Sequence, residues 1–157
     1  MKVQVWTIGK AGEKYIEEGI KEYSNRLKHY TNFELKIITP PKDLGRLPVE
    51  QQKLKEAALV EAQLQTGDFL VLLDERGKSL STVQLADKIQ QWSNAGTRRV
   101  IFLIGGAFGI DDSLKQKAGI ILTLSAFTFP HQLVRLIITE QIYRAYTVIN
   151  NEKYHHP

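Results

Sequence analysis

The 157-residue chain contains no cysteine, which excludes disulfide bonds and every metal site built on thiolates. It has no apolar run long enough to span a bilayer, and its first residues have the pattern of a strand rather than of a signal peptide. Internal repeats and low-complexity segments are absent as well. We therefore expect a single domain over residues 1–157, located in the cytoplasm, with no membrane or metal partner.

Common nucleotide-binding signatures are also missing. The glycine-rich segment at residues 105–109 does not end in Gly-Lys-Ser or Gly-Lys-Thr, and it does not match G-x-G-x-x-G. The absence of these motifs argues against a general nucleotide-binding α/β protein but does not exclude one. The formal net charge of +4 permits a nucleic-acid partner but does not require one.

Strands and helices alternate along the chain. Apolar runs predict strands at residues 3–8, 33–39, 69–73, 100–104 and 120–124. Helical spacing predicts helices at 15–30, 48–65 and 131–149, with a proline-rich loop at 40–48. Ser81 and Gln84 form a capping box for a further helix that ends at Gly96, and Asp111 or Asp112 can cap a short helix ending near Gly119.

This alternation indicates an α/β domain of three layers with a mostly parallel sheet. The last three strands are continuously apolar, which predicts inner strands buried on both faces. Ligands of such sheets bind at the carboxyl ends of the strands. The loops after Leu73, Ile104 and Leu124 are therefore the candidate binding segments.

Each of these loops has two interpretations. The glycines at 105–109 permit a plain turn or a close approach of a ligand to the backbone. The segment at 74–78 has the pattern of a charged turn that could form a second wall of a pocket. The loop at 124–129 has two phenylalanines and three small residues, which suit a flat aromatic ligand or a buried connection under the last helix.

The last helix is apolar on more sides than a surface helix needs. Either a symmetric dimer covers the extra face, or the helix is fully buried inside one subunit. On the dimer interpretation we expect Ile142 to lie at the interface.

Several side chains near this helix suit contacts with a polyanion. His131 follows Pro130 in the first turn and could accept a proton, or could only orient the loop. Arg135 and Arg144 could each hold a phosphate, although Glu140 also explains Arg144 as a surface pair. The terminal Tyr154 and His155 could stack on a nucleotide, or the terminus could be frayed.

Taken as a whole, the chain resembles the SPOUT, or α/β-knot, methyltransferases, and within them the small methyltransferases of large-subunit ribosomal RNA. The resemblance covers essentially the full length. The segments that carry it are Ile8-Gly9-Lys10, the Tyr15 helix, Leu73 with Gly77-Lys78, residues 102–106, residues 127–132, Arg135, residues 140–145, and Tyr154-His155.

The resemblance implies a homodimer with a C-terminal trefoil knot that uses S-adenosylmethionine. It implies methylation of N3 of a pseudouridine, the 1915 site, in 23S ribosomal RNA of the large subunit or assembled ribosome. The cofactor positions it implies are Leu73, Gly105, Leu124, Ser125, Ala126, Phe127, Thr128 and Phe129. The substrate-side positions it implies are His131, Arg135, Arg144, Tyr154 and His155. Some relatives carry a basic residue where this chain ends in His156-Pro157.

A non-catalytic RNA- or ribosome-binding protein that uses the same basic face is the alternative from a different class. Saturable binding of S-adenosylmethionine would count against it.

Overall fold

The computed structural model describes residues 1–157. Five strands and five α-helices alternate along the chain, with a 3₁₀ helix at Lys42–Arg46 after the second strand. The strands are β1 (Lys2–Ile8), β2 (Asn32–Ile38), β3 (Asp68–Ser79), β4 (Arg99–Ile104) and β5 (Ile120–Thr123). The helices are α1 (Lys14–Leu27), α2 (Val49–Glu61), α3 (Thr82–Asn94), α4 (Asp112–Lys117) and α5 (His131–Ile149).

All five strands pair in parallel in one sheet of order β2-β1-β4-β3-β5. One apolar core packs α1, α3 and α5 on one face, and a second packs α2 and α4 on the other. The predicted three-layer architecture with a parallel sheet is therefore confirmed.

The predicted set of inner strands is partly wrong, because β5 lies at an edge and β1 lies inside. The sequence of β1 mixes polar and apolar residues, yet Gln4 and Thr7 are buried. The Gln4 amide donates to Glu34 Oε2 at 2.8 Å and accepts from Trp6 Nε1 at 3.0 Å. Because these groups are paired, a polar side chain can stay buried in a central strand.

The helix caps follow the predicted chemistry. Ser81 and Gln84 exchange hydrogen bonds in a capping box at the start of α3, at 3.1 and 2.9 Å. Asp111 accepts from the Ser113 amide at the start of α4, at 2.9 Å. Pro48 and Pro130 occupy the positions immediately before α2 and α5.

The segment after Leu73 is not the free turn that its charges predict. β3 continues through residues 74–79 and pairs with β5 a second time, so that both Leu73 and Lys78 lie beside Leu122. Residues 74–77 thus form a bulge between the two pairings, at the carboxyl edge of the sheet.

α5 packs against both α1 and α3, and Ile142 is fully buried within the subunit. The expectation that Ile142 lies at an interface is therefore wrong. Helical spacing alone could not distinguish the side of α5 that faces the sheet, because apolar residues occur all round it.

Candidate functional site

A cavity of about 480 Å³ lies beside the bulge of β3 and the carboxyl ends of β4 and β5. All three segments were candidates from the sequence, as the residues that follow Leu73, Ile104 and Leu124. Its walls include seven of the eight positions implied for a cofactor, which are Leu73, Gly105, Leu124, Ser125, Phe127, Thr128 and Phe129. Ala126 does not line the cavity, although both of its neighbours do. The volume is in the range typical of small-molecule sites.

The glycine loop after β4 forms one wall as a tight turn. The Gly109 amide donates to the Gly106 carbonyl at 3.1 Å, and Gly109 has a φ of +89°, which favours glycine. A Cβ on Gly105 would lie 2.5 Å from Ile110 Cγ1. The absence of a side chain at Gly105 is therefore required first by the packing of the loop itself.

The loop after β5 forms the opposite wall. Thr123 Oγ1 donates to the Ser125 carbonyl at 3.0 Å, and Ser125 Oγ accepts from the Phe127 amide at 3.0 Å. These local bonds fix the loop, whereas the Phe127 side chain points into solvent. Phe127 is 82% exposed, and Phe108 of the glycine loop is 53% exposed at the same cavity. The cavity thus has an aromatic rim that is open to a flat partner.

Charged side chains complete the lining. Asp74, Glu75 and Arg76 come from the β3 bulge, where Asp74 Oδ1 accepts from the Arg76 amide at 2.9 Å. Lys115 of α4 lies 4.0 Å from Asp74 Oδ2. Both signs of charge are present, so the cavity suits a ligand with separate cationic and anionic groups.

Some residues that line the cavity were not predicted from the sequence. Lys53 of α2 and Lys115 of α4 come from helices on the far face of the sheet, and no local pattern marks them. Phe108 lies inside the glycine segment, so a large aromatic residue within a glycine turn was the available signal.

The candidate substrate-side residues do not all converge on this cavity. His131 is exposed and lines it at the start of α5. Arg135, Arg144, Tyr154 and His155 do not line it.

Arg135 is only 3% exposed and holds the segment after β1. Its Nε donates to Thr7 Oγ1 at 2.9 Å, and its Nη1 donates to the Lys10 carbonyl at 2.8 Å. Burial lowers the pKa of Arg135, and the negative charge of Glu17 partly opposes this. Arg135 therefore joins α5 to the Ile8-Gly9-Lys10 segment and is not presented to solvent.

Arg144 and Tyr154 lie together. The Arg144 guanidinium carbon is 4.6 Å from the centre of the Tyr154 ring, and that ring packs edge-on against Tyr143 at 4.8 Å. Arg144 Nε donates to Glu140 Oε1 at 2.8 Å, and the Tyr154 hydroxyl donates to the same oxygen at 3.2 Å. The C-terminal residues are therefore folded onto α5 rather than frayed.

The local environment keeps the Tyr154 phenol protonated. Burial, a hydrogen bond with Tyr23 and the negative charge of Glu140 all raise the pKa of Tyr154. At neutral pH this hydroxyl is a donor and cannot act as a base. His155 Nδ1 is buried without a hydrogen-bond partner, while His156 and Pro157 are exposed.

No three histidine or carboxylate side chains come together as a metal-binding group. None of the helices is long and apolar enough to cross a membrane.

Comparison with known proteins gives a consistent picture. A family model described as "Predicted SPOUT methyltransferase" matches residues 1–155. A protein of Christiangramia forsetii named "Ribosomal RNA large subunit methyltransferase H" is 45% identical over 156 residues, which cover 99% of each chain. Proteins of the same name are 43% identical in Parabacteroides distasonis, over 99% of each chain, and in Cytophaga hutchinsonii, over 99% of this chain and 100% of that one.

A solved structure has a similar fold. It is described as a probable methylase family protein from Haemophilus influenzae, with a TM-score of 0.55 and 12% identity. The match covers 99% of this chain and 70% of that chain. At this identity the likeness concerns the fold alone.

Proposed function

Since the chain belongs to the SPOUT methyltransferase family, we propose that it methylates N3 of a pseudouridine, the 1915 site, in 23S ribosomal RNA, with S-adenosylmethionine as methyl donor. The names of the relatives support large-subunit ribosomal RNA as the substrate. The pseudouridine and its N3 atom rest on the resemblance of the motifs.

The observation that carries the proposal is the convergence of the β3 bulge and the ends of β4 and β5 on one cavity. Leu73, Gly105 and the 124–129 loop are separated by up to 56 positions in the sequence, yet they line one space of about 480 Å³. Parallel α/β sheets bind ligands at this edge.

The lining fits the chemical groups of S-adenosylmethionine. Leu73, Ile104 and Leu124 offer apolar walls for an adenine ring. The carboxylates of Asp74 and Glu75 suit the ammonium and sulfonium cations, whereas Lys53 and Lys115 suit the carboxylate. The backbone of the two loops offers hydrogen-bonding groups at the strand ends.

In this mechanism the protein contributes mainly by aligning the methyl donor with the nitrogen that attacks it. The bound donor supplies a methyl group on a sulfonium, which a nucleophilic nitrogen can attack directly. Residues of the glycine loop and of the 124–129 loop would hold the donor and align it with the RNA base. The rings of Phe108 and Phe127 stand exposed at the rim, where they would stack on a flat partner. N3 must lose its proton; a histidine would accept it in this proposal, and the candidates are His131, which lines the cavity, and a histidine of the C-terminal segment.

The RNA side of the proposal uses residues outside the cavity. The guanidinium of Arg144 contacts the ring of Tyr154. The cation can bind a phosphate, and the aromatic ring can stack on a base. His155 follows in the same segment. Because these residues do not line the cavity of their own subunit, the proposal requires that another subunit bring them to it.

A homodimer meets that requirement, and α5 carries an apolar face to form it. Leu133, Leu136 and Ile137 are half-buried but belong to neither apolar core. Tyr15, 64% exposed, lies one helical turn from Gly19, which contacts Leu136. A second copy of the chain would cover this face.

The trefoil knot is likewise part of the proposal. Support comes from the order of the strands, since the chain passes from β4 across β3 to β5 and α5 then returns to pack against α1 and α3.

Mass mapping of 23S ribosomal RNA from cells with and without this chain tests the function. We expect one pseudouridine to lose its N3 methyl group in the cells that lack the chain. An unchanged methylation map would refute the proposal.

A further inference from the structure

Glu140 stands at the centre of the contacts that hold Arg144 and Tyr154 together. Its Oε1 accepts from Arg144 Nε at 2.8 Å and lies 2.5 Å from Arg144 Nη2. The same oxygen accepts from the Tyr154 hydroxyl at 3.2 Å. One carboxylate oxygen therefore fixes a cation on α5 and an aromatic ring fourteen residues further along.

The second oxygen of Glu140 is fixed as well. Oε2 accepts from Gln141 Nε2 at 2.8 Å, and Gln141 Oε1 accepts from Thr82 Oγ1 at 2.8 Å. Thr82 begins α3, so the chain of hydrogen bonds anchors the carboxylate to a neighbouring helix. A carboxylate fixed on both oxygens can determine where its partners lie.

This pair differs from the ordinary surface pairs of the chain. The Glu140 and Arg144 side chains are 16% and 26% exposed, whereas Lys14 and Glu18, also four residues apart, are 91% and 66% exposed at 3.9 Å. Solvent screens an exposed pair and leaves it nearly without effect, whereas a sheltered pair keeps its geometry. The Glu140 hydrogen bond and charge also raise the pKa of Arg144.

Arg144 keeps binding capacity despite this pairing. Its contacts to Glu140 use Nε and Nη2, while Nη1 has no hydrogen-bond partner in the chain. A guanidinium can therefore be oriented by Glu140 through one edge and bind a phosphate through the other.

From these contacts we propose that Glu140 is a positioning residue for RNA, which holds Arg144 and Tyr154 as one preformed binding unit without touching the substrate itself. This inference rests on the proposed function, because it assigns to Glu140 the arrangement of the two residues that the proposed function places on the RNA.

The test uses the full-length protein and replaces Glu140 by glutamine, which keeps the size of the side chain but removes its charge. We expect the KM for ribosomes to rise about tenfold with kcat little changed, because an interaction that only binds substrate is lost. The dissociation constant for S-adenosylmethionine should stay at the wild-type value. Hydrogen exchange at residues 152–155 should become faster, since the hydroxyl of Tyr154 loses its charged acceptor.

Two variants serve as matched comparisons. Glu18→Gln makes the same charge change in the exposed pair on α1 and should keep wild-type kinetics. Glu152→Gln weakens the other anchor of the terminus, where the Tyr30 hydroxyl donates to Glu152 at 2.7 Å, but does not touch Arg144. A smaller rise in KM for Glu152→Gln than for Glu140→Gln would show that the orientation of Arg144 matters beyond the attachment of the terminus.

The outcomes separate this inference from the proposed function. Wild-type kcat and KM in Glu140→Gln, together with a large loss in Arg144→Ala, would overturn the role of Glu140 alone. Full activity in Arg144→Ala would instead overturn the RNA-side assignment on which it rests. If Glu140→Gln fails to fold, Tyr154→Phe removes the hydrogen bond from Tyr154 to Glu140 and leaves the charge of Glu140 in place. An unchanged KM in that variant would contradict the proposal.

Discussion

Gly77 lies directly against the backbone of Leu122, so that a Cβ built on Gly77 would come 2.4 Å from the Leu122 carbonyl carbon. No side chain fits there without a shift of backbone. This contact joins the β3 bulge to β5 at the edge of the cavity. The glycine of the Gly77-Lys78 motif is therefore explained by the close approach of two chain segments.

We expect Gly77→Ala to lower the free energy of unfolding by about 2 kcal/mol or more, because the methyl group would overlap backbone that cannot move away. Chemical denaturation measures this. Gly45→Ala is the matched control, since a Cβ there meets nothing within 4 Å and should change stability by no more than about 0.5 kcal/mol. Equal stability of the two variants would contradict the contact.

Gly105→Val should abolish binding of S-adenosylmethionine. The Cβ would lie 2.5 Å from Ile110 Cγ1 and 3.2 Å from the Gly109 carbonyl, so the whole glycine wall must move. Isothermal titration calorimetry on the folded variant measures the affinity, and circular dichroism checks the fold. Wild-type affinity in a folded Gly105→Val protein would show that this wall does not hold the donor.

Two substitutions on α5 should have different effects. Ile137→Glu places a charge on the half-buried face outside both cores, and we expect a folded monomer with a dimer dissociation constant raised about a hundredfold. Ile142→Glu places the charge at a fully buried position and should unfold the subunit. Sedimentation and circular dichroism distinguish the two results. A stable Ile137→Glu dimer would move the interface to another surface.

Deletion of residues 154–157 should leave the affinity for S-adenosylmethionine nearly intact, because none of these residues lines the cavity. Methyl transfer to ribosomes should fall about tenfold or more, since the deletion removes the Tyr154 ring and its contact with Arg144. Deletion of Pro157 alone, an exposed residue, is the control. Loss of donor binding in the longer deletion would show that the terminus holds the donor as well as the RNA.

Much of the architecture could be predicted from the sequence, because apolar periodicity and capping chemistry are local. The Ser81 capping box and the bounds of α5 are examples. The position of β5 at the edge could not be predicted in this way, since three successive apolar residues, Ile120 to Leu122, suit an edge strand as well as an inner strand.

The candidate site likewise has features that the sequence predicts and features that it does not. Strand ends in a parallel sheet meet at one edge, so Leu73, Gly105 and the 124–129 loop could be grouped before the structure was known. The burial of Arg135 could not, because its partners Thr7 and Lys10 lie more than 120 residues away in sequence. Nor could the full burial of Ile142 and the half-burial of Ile137, which depend on how α5 is rotated against the sheet.

The most direct test of the proposed activity is methyl transfer by the purified protein. Ribosomes from cells that lack this chain are incubated with it and with S-adenosylmethionine carrying an isotopically labelled methyl group, and the 23S RNA is digested to nucleosides for mass spectrometry. We predict a single labelled product, N3-methylpseudouridine, approaching one per ribosome and mapping to the 1915 site. Label in a different nucleoside, or ribosomes that remain unlabelled although the protein binds the donor, would contradict the account.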